Sequence, residues 1–182
     1  MTNFITGASN FAQDGLNRRA NGMAESASGS GSSLNATYET RQFIPHLVKE
    51  YNIKSMIDLG CGDWNWMSTI RGEFPDVEYQ GWDASEEMLD ENTKNYGNEK
   101  TKFFYKDIIE NDYPKVDMAL CRDVMFHLKP EYTLRIFDNI KKAGIKYLLA
   151  TSFNEIPVNK GMEVEQTWYG DWRFYYLSLI HI

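Results

Sequence analysis

The chain has 182 residues, 42% hydrophobic and 14% aromatic, which suffices for one core and is short for two domains. Its formal net charge is −7 and no basic cluster offsets it, so it is a poor candidate for gripping a nucleic-acid backbone. That balance favours a small-molecule partner.

Two cysteines, Cys61 and Cys121, make no disulfide framework and lack metal-ligand spacing with a histidine, so no metal is expected. They read as small apolar residues of buried strands in a reducing compartment. No apolar run reaches spanning length, and the Met1–Phe4 start lacks a signal peptide's basic and apolar regions. The expectation is a cytoplasmic protein that contacts no membrane; the sequence is silent on oligomeric state.

Residues 1–25 carry no sustained period, and Gly22 to Gly31 is rich in Ser, Gly and Ala. Residues 1–35 therefore read as a flexible N-terminal segment, with Ser28–Ser32 either a linker or a lid over a ligand. From Ala36 to Tyr51, Phe43, Leu47 and Val48 recur at helical spacing, and Pro45 must begin a second helical piece or kink the first. Arg41 on this segment reads as a solvated helix residue, or as one that closes on a ligand with the Ser/Gly loop.

Alternation of strand and helix follows. Ser55–Gly60 is the first strand, and Asn65 to Gly72 a short helix. Val77–Asp83 is the second strand, after which Ser85 caps a helix with Glu86 and Glu87 in its first turn and Gly97 as its stop. Lys102–Asp107 is the third strand and Val116–Cys121 the fourth. Pro130 and Glu131 open a helix with an apolar face of Leu134, Phe137 and Ile140, closed by Lys141, Lys142 and Gly144. Tyr147–Thr151 is the fifth strand. This order predicts an α/β, Rossmann-like, doubly wound and mostly parallel sheet.

Leu177–Ile182 breaks the register of what precedes it and matches what a common sequencing-transposon end would encode in frame. The expected division is therefore a domain over 36–176, then a non-native tail over 177–182 in a chain whose gene continues past Tyr176. The alternative is a genuine apolar edge strand.

The chemistry concentrates at Met56–Trp64. An apolar run delivers Asp58, then Gly60 and Gly62 separated by Cys61, then Asp63. Glycine permits the positive φ of a tight turn and lets a ligand approach the backbone. Asn65 stands where a dinucleotide fingerprint needs its third glycine, and no Gly-Lys-Ser/Thr ending marks a phosphate loop. Acids flanking the turn suit a ligand that carries an ammonium group.

These residues resemble motif I of the class I S-adenosylmethionine-dependent methyltransferases, departing at Trp64, where many members carry another glycine. Across about residues 36–176 the chain looks most like an uncharacterised small-molecule-type subfamily sharing a Ser-Gly-x-Gly-Ser loop, a Cys-Gly-Asp-x-x-Trp turn and a Cys-Arg-Asp segment. The resemblance implies strand order 3-2-1-4-5, with the family's final strands incomplete because only Met162–Tyr176 remains to supply them.

It also implies roles. Asp58, Gly60, Cys61, Gly62 and Asp63 would wrap the methionine end of S-adenosylmethionine. Asp83, followed by Ala84, would accept both ribose hydroxyls. Asp107 would accept from the adenine amino group while Ile108 packs on the ring. Arg122 and Asp123 would face cofactor or acceptor, and His127 is the general-base candidate. A solvated loop acid is the plainer reading of Asp107, and a packing histidine the plainer reading of His127. Trp168, Tyr169, Trp172, Arg173, Phe174 and Tyr175 could wall an acceptor pocket, though core for the final strands is the stronger reading. The absence of an Asp/Asn-Pro-Pro-Tyr/Phe run weakens a nucleic-acid base as acceptor. The expected function is methyl transfer to an O or N atom of a small molecule. The alternatives are an NAD-dependent oxidoreductase and a non-catalytic nucleoside-binding protein of the same fold.

Overall fold

The computed structural model describes residues 3–152 and 176–181. The expected parallel sheet is present. Its strands are β1 (Ser55–Leu59), β2 (Glu78–Asp83), β3 (Thr101–Tyr105), β4 (Met118–Cys121), β5 (Tyr147–Ser152) and β6 (Tyr176–His181). The order is β3-β2-β1-β4-β5-β6. The first five are parallel, in the expected order 3-2-1-4-5, and β6 runs antiparallel to β5. Tyr176–His181, which overlaps the segment expected to be a tail, thus takes the backbone conformation of an edge strand. The aromatic cluster from Trp168 to Tyr175 lies outside the described residues.

Side chains alternate across this sheet as strand geometry requires. Met56, Tyr79, Met118, Leu120 and Leu149 join one core with helix α2 (Tyr38–Glu50) and the short α3 (Met67–Ile70). Ile57, Leu59, Trp82, Ala119 and Leu148 join the other, against Ile136 and Ile140 of α5 (Pro130–Lys142). Helices on both faces explain why the central strands are apolar at nearly every position. The buried polar exception in β1 is Asp58, which is 3% exposed.

Local signals held at the helix ends. Ser85 Oγ accepts from Met88 N (3.4 Å) at the start of α4 (Glu86–Tyr96). After α5, Gly144 at φ 68° turns the chain and Ile145 N bonds back to Ile140 O (3.2 Å), satisfying an otherwise orphaned carbonyl. The predicted faces of two helices shift. In α5 it is Ile136 and Ile140 that are buried, whereas Leu134 (62% exposed) and Phe137 (36% exposed) point outward. In α2 Ile44 takes the core position and Phe43 is exposed. α2 runs through Pro45 without a second start.

The largest departure is at the N-terminus. The segment expected to be flexible contains α1 (Asn3–Ala20) and a hydrogen-bonded turn at Ser30–Ser32. Its sequence has no strong apolar stripe because its contact is small: Ala12 and Leu16 pack on Ala27 and Met88. Close approach is made possible by Gly15, where an added Cβ would lie 1.9 Å from Ala27 O. Alanine ordinarily favours a helix interior over glycine by about 1 kcal/mol. Gly15→Ala is nevertheless expected to undock α1. Limited proteolysis should cut faster between residues 20 and 36 while the sheet's melting temperature changes little; unchanged cleavage would refute the docking geometry.

Candidate active site

The strand order reverses beside β1, and a crevice at the strands' carboxyl ends is where such sheets bind ligands. The turn leaving β1 is built from left-handed residues: Gly60 (φ 83°), Gly62 (φ 58°) and Trp64 (φ 57°). Gly60 N and Cys61 N both donate to Trp82 O, at 2.8 and 3.1 Å, which hooks the turn onto the end of β2. Trp64 is not a glycine yet keeps a glycine-like conformation. A bulky residue there is strained by roughly 1–2 kcal/mol. Burial of its indole, 2% exposed, and the bond from its Nε1 to Tyr79 Oη (2.8 Å) offset that strain.

Asp83 meets the turn directly. Its Oδ2 accepts from Gly62 N (2.8 Å), and its Oδ1 from Ala84 N (2.8 Å) and Ser85 N (3.0 Å). Burial raises its pKa above the ordinary carboxylate value, opposed by those three backbone donors. Asp58 Oδ2 accepts from Tyr79 Oη at 2.5 Å. Burial pushes the Asp58 carboxyl up to about 7, with the Tyr79 bond pulling down, Asp83 pushing up and Arg122 pulling down.

Asp63 is bonded to the N-terminal segment. Its carboxylate accepts from Ser26 Oγ (2.9 Å), Ala27 N (2.7 Å), Ser28 Oγ (3.1 Å) and Arg19 (3.3 Å), all in the N-terminal segment. Asp63 N in turn donates to Ser28 Oγ (2.8 Å). The turn's glycines therefore serve close approach by the chain itself. An added Cβ at Gly62 would lie 2.1 Å from Ser28 Oγ, and one at Gly60 2.4 Å from a Val124 methyl.

The other expected residues divide. Asp107 Oδ1 accepts from Ile109 N (2.8 Å) and Glu110 N (3.3 Å), so that oxygen holds a local turn after β3, and Ile108 is buried. Arg122 pairs with Asp123 (2.8 Å), donates from Nη2 to Gly31 O (2.9 Å) and lies over the Trp66 ring at 5.8 Å. Asp123, at φ 57°, also accepts from Thr151 Oγ1 at 2.9 Å. His127 lies against the Phe126 ring at 4.0 Å. Burial lowers its pKa while Asp123 opposes the change.

Sequence reasoning missed Ser26, Tyr79 and Asn92, and named Ser28 only as part of a linker or lid. Asn92 is 2% exposed and donates to Gly62 O (2.8 Å). Tyr79 was findable: it shares a strand face with Asp83, two residues apart twice over. The serines carried no periodic signal. A groove of about 540 Å³ lined by residues including Pro45, His46, Phe74 and Val77 lies at the amino ends of the strands, remote from this crevice.

The raised Asp58 value has a sign that can be checked. Its folded form holds a proton that the unfolded chain releases near 3.8, so this group's contribution to stability falls as pH rises from 4 to 7 and is flat above. Asp58→Asn should flatten that slope. The full difference is on the order of 4 kcal/mol, read from melting curves of wild type and variant across the range; parallel curves would show that Asp58 does not titrate there.

Residues 57–143 match the family model for a methyltransferase domain. No curated protein matches the chain. Among solved structures, magnesium protoporphyrin IX methyltransferase from Synechocystis PCC 6803, with bound SAM, is 19% identical with a TM-score of 0.62 over 85% of this chain and 78% of that one. The methyltransferase domain of bacterial CtHen1 is 19% identical with a TM-score of 0.56, over 67% and 68%. The SAM-dependent methyltransferase SibL is 14% identical with a TM-score of 0.54, over 78% of this chain and 50% of its own. With a left-handed turn after β1 and the order 3-2-1-4-5, the chain has the Rossmann-like fold of these methyltransferases, and its residues 57–143 are similar to a methyltransferase domain.

Proposed function

We propose that the protein transfers the methyl group of S-adenosylmethionine to an oxygen or nitrogen atom of a small-molecule acceptor. The observation that carries this reading is the joint placement of Asp58, Asp83 and the glycine turn at one end of the sheet. The cofactor fits this donor and acceptor set. Buried carboxylates suit an ammonium and ribose hydroxyls, whereas the pyrophosphate of a nicotinamide cofactor would meet Asp58 and Asp83. The net charge of −7 supports a small acceptor. Among the described residues no helix is long and apolar enough to cross a membrane.

When bound, the cofactor's sulfonium supplies an electrophilic methyl group, so the chain's own residues mainly orient and exclude water. Asp83 Oδ2 carries one donor and retains lone-pair capacity for a ribose hydroxyl. Asp58 is the acceptor for the ammonium, Asp107 and Ile108 hold the adenine end, and Gly60–Gly62 give the backbone room. Admitting a ligand beside the glycines draws on movement of Ser28 and Val124. His127, kept neutral to lower pH by its burial, takes the acceptor's proton. Asp123 favours the imidazolium that results and, through Arg122, ties this wall to the Ser/Gly loop.

Two outcomes test the reading by titration calorimetry and turnover. Asp83→Ala should weaken S-adenosylhomocysteine binding about a hundredfold, as loss of two hydrogen bonds to a charged group implies. NAD should not bind to wild type; NAD binding with no S-adenosylhomocysteine binding would favour the oxidoreductase. His127→Ala should lower methyl transfer to an acceptor by about a hundredfold while sparing cofactor affinity. Intact turnover would make the histidine structural.

A further inference from the structure

We propose that Tyr79 is a positioning residue for methyl-donor binding: its hydroxyl, held between Trp64 and Asp58, fixes the Asp58 carboxylate beside the glycine turn as the acceptor for the donor's ammonium group. The proposal rests on the methyl-donor reading above and adds a residue that never touches the reacting atoms.

The sheet register makes the contact. Asp58 stands opposite Gly81, and Met56 opposite Tyr79. Gly81 offers Asp58 no side chain across the strands, so the diagonal neighbour, two residues back, reaches over. An added Cβ at Gly81 would meet Phe103 at 2.7 Å and Cys61 Sγ at 2.9 Å, so that gap is enforced. Tyr79 is 1% exposed, which removes it from any acceptor pocket.

The polar atoms form a directed chain: Trp64 Nε1 donates to Tyr79 Oη (2.8 Å), which donates to Asp58 Oδ2 (2.5 Å). A short O–H···O contact of that kind is charge-assisted when the acceptor is ionised. The Trp64 ring packs edge-on against Tyr79 at 5.4 Å and against Phe103 at 5.1 Å. One hydroxyl thus joins the acid of β1 to the left-handed residue of the turn. Among the described residues, Tyr79 is the side chain bonded to Asp58, leaving Oδ1 for a ligand.

The groups facing Asp58 decide how its charge responds to pH. Tyr79 and Asp83 come from β2 and its end, Arg122 from the end of β4, Cys61 from the turn and Cys121 from β4. Burial raises both thiols, so they stay neutral through the working range. Burial raises Asp58 and the Tyr79 bond opposes it, so loss of that bond favours the protonated form.

The test is calorimetric affinity for S-adenosylhomocysteine from pH 5.5 to 8.5 in wild type, Tyr79→Phe, Asp58→Asn and protein carrying 3-fluorotyrosine at position 79. Wild-type affinity should rise with pH through a midpoint near 7. Tyr79→Phe should shift that midpoint upward by about one unit, with affinity about tenfold weaker at the acid end, about fivefold weaker at pH 7 and converging on wild type at the alkaline end. Fluorotyrosine, a stronger donor of similar size, should lower the midpoint and covers the case in which the Phe variant does not fold. Asp58→Asn should be flat. A Tyr79→Phe curve parallel to wild type, or an unmoved midpoint with fluorotyrosine, overturns the role. A pH profile that survives Asp58→Asn overturns it too, by assigning the titration to Asp83. No binding by wild type at any pH overturns the methyl-donor reading itself.

Discussion

Everything at the carboxyl end of the sheet depends on the backbone between Gly60 and Trp64 turning left-handed at alternate residues. This geometry aims Gly60 N and Cys61 N at Trp82 O and Gly62 N at Asp83. β1 and β2 are thereby clasped just beyond their last ladder bonds. Two positions use glycine, where the conformation carries no steric cost. The third uses tryptophan, held there by buried area and by one hydrogen bond to Tyr79. The site's shape and the core's stability are consequently the same interaction seen from two sides.

The strands were legible because buried parallel strands leave an unmistakable apolar run. The first three ended in an acid or a glycine that marked the carboxyl end. Helix ends were legible for chemical reasons, through Ser85 and Gly144. Helix faces were less so. Leu134 and Phe137 are apolar yet exposed, because Ile136 and Ile140 complete the core without them. α1 was missed because its docking rests on Gly15, Ala12 and Ala27, residues that read as flexibility in a sequence and serve here as close packing.

Within the site, the sequence marked the turn's residues but not what they are bonded to. Asp83 and the glycines come together as expected. On Asp63, four donors from the N-terminal segment converge. No local pattern reveals such a partner, since Ser26 and Asp63 are separated by 37 positions. The diagonal pairing of Tyr79 with Asp58 is likewise a property of strand register.

The buried Asp63 carboxylate also decides what counts as the indivisible unit of this protein. A version trimmed to begin at α2 would leave a carboxylate, 6% exposed, without the serines, amide and guanidinium that neutralise it. An ion stranded in that way seeks water, and the nearest route to water is through the glycine turn itself. The amino-terminal arm is therefore the missing wall of the catalytic domain, and trimming it would unmake the crevice rather than expose it.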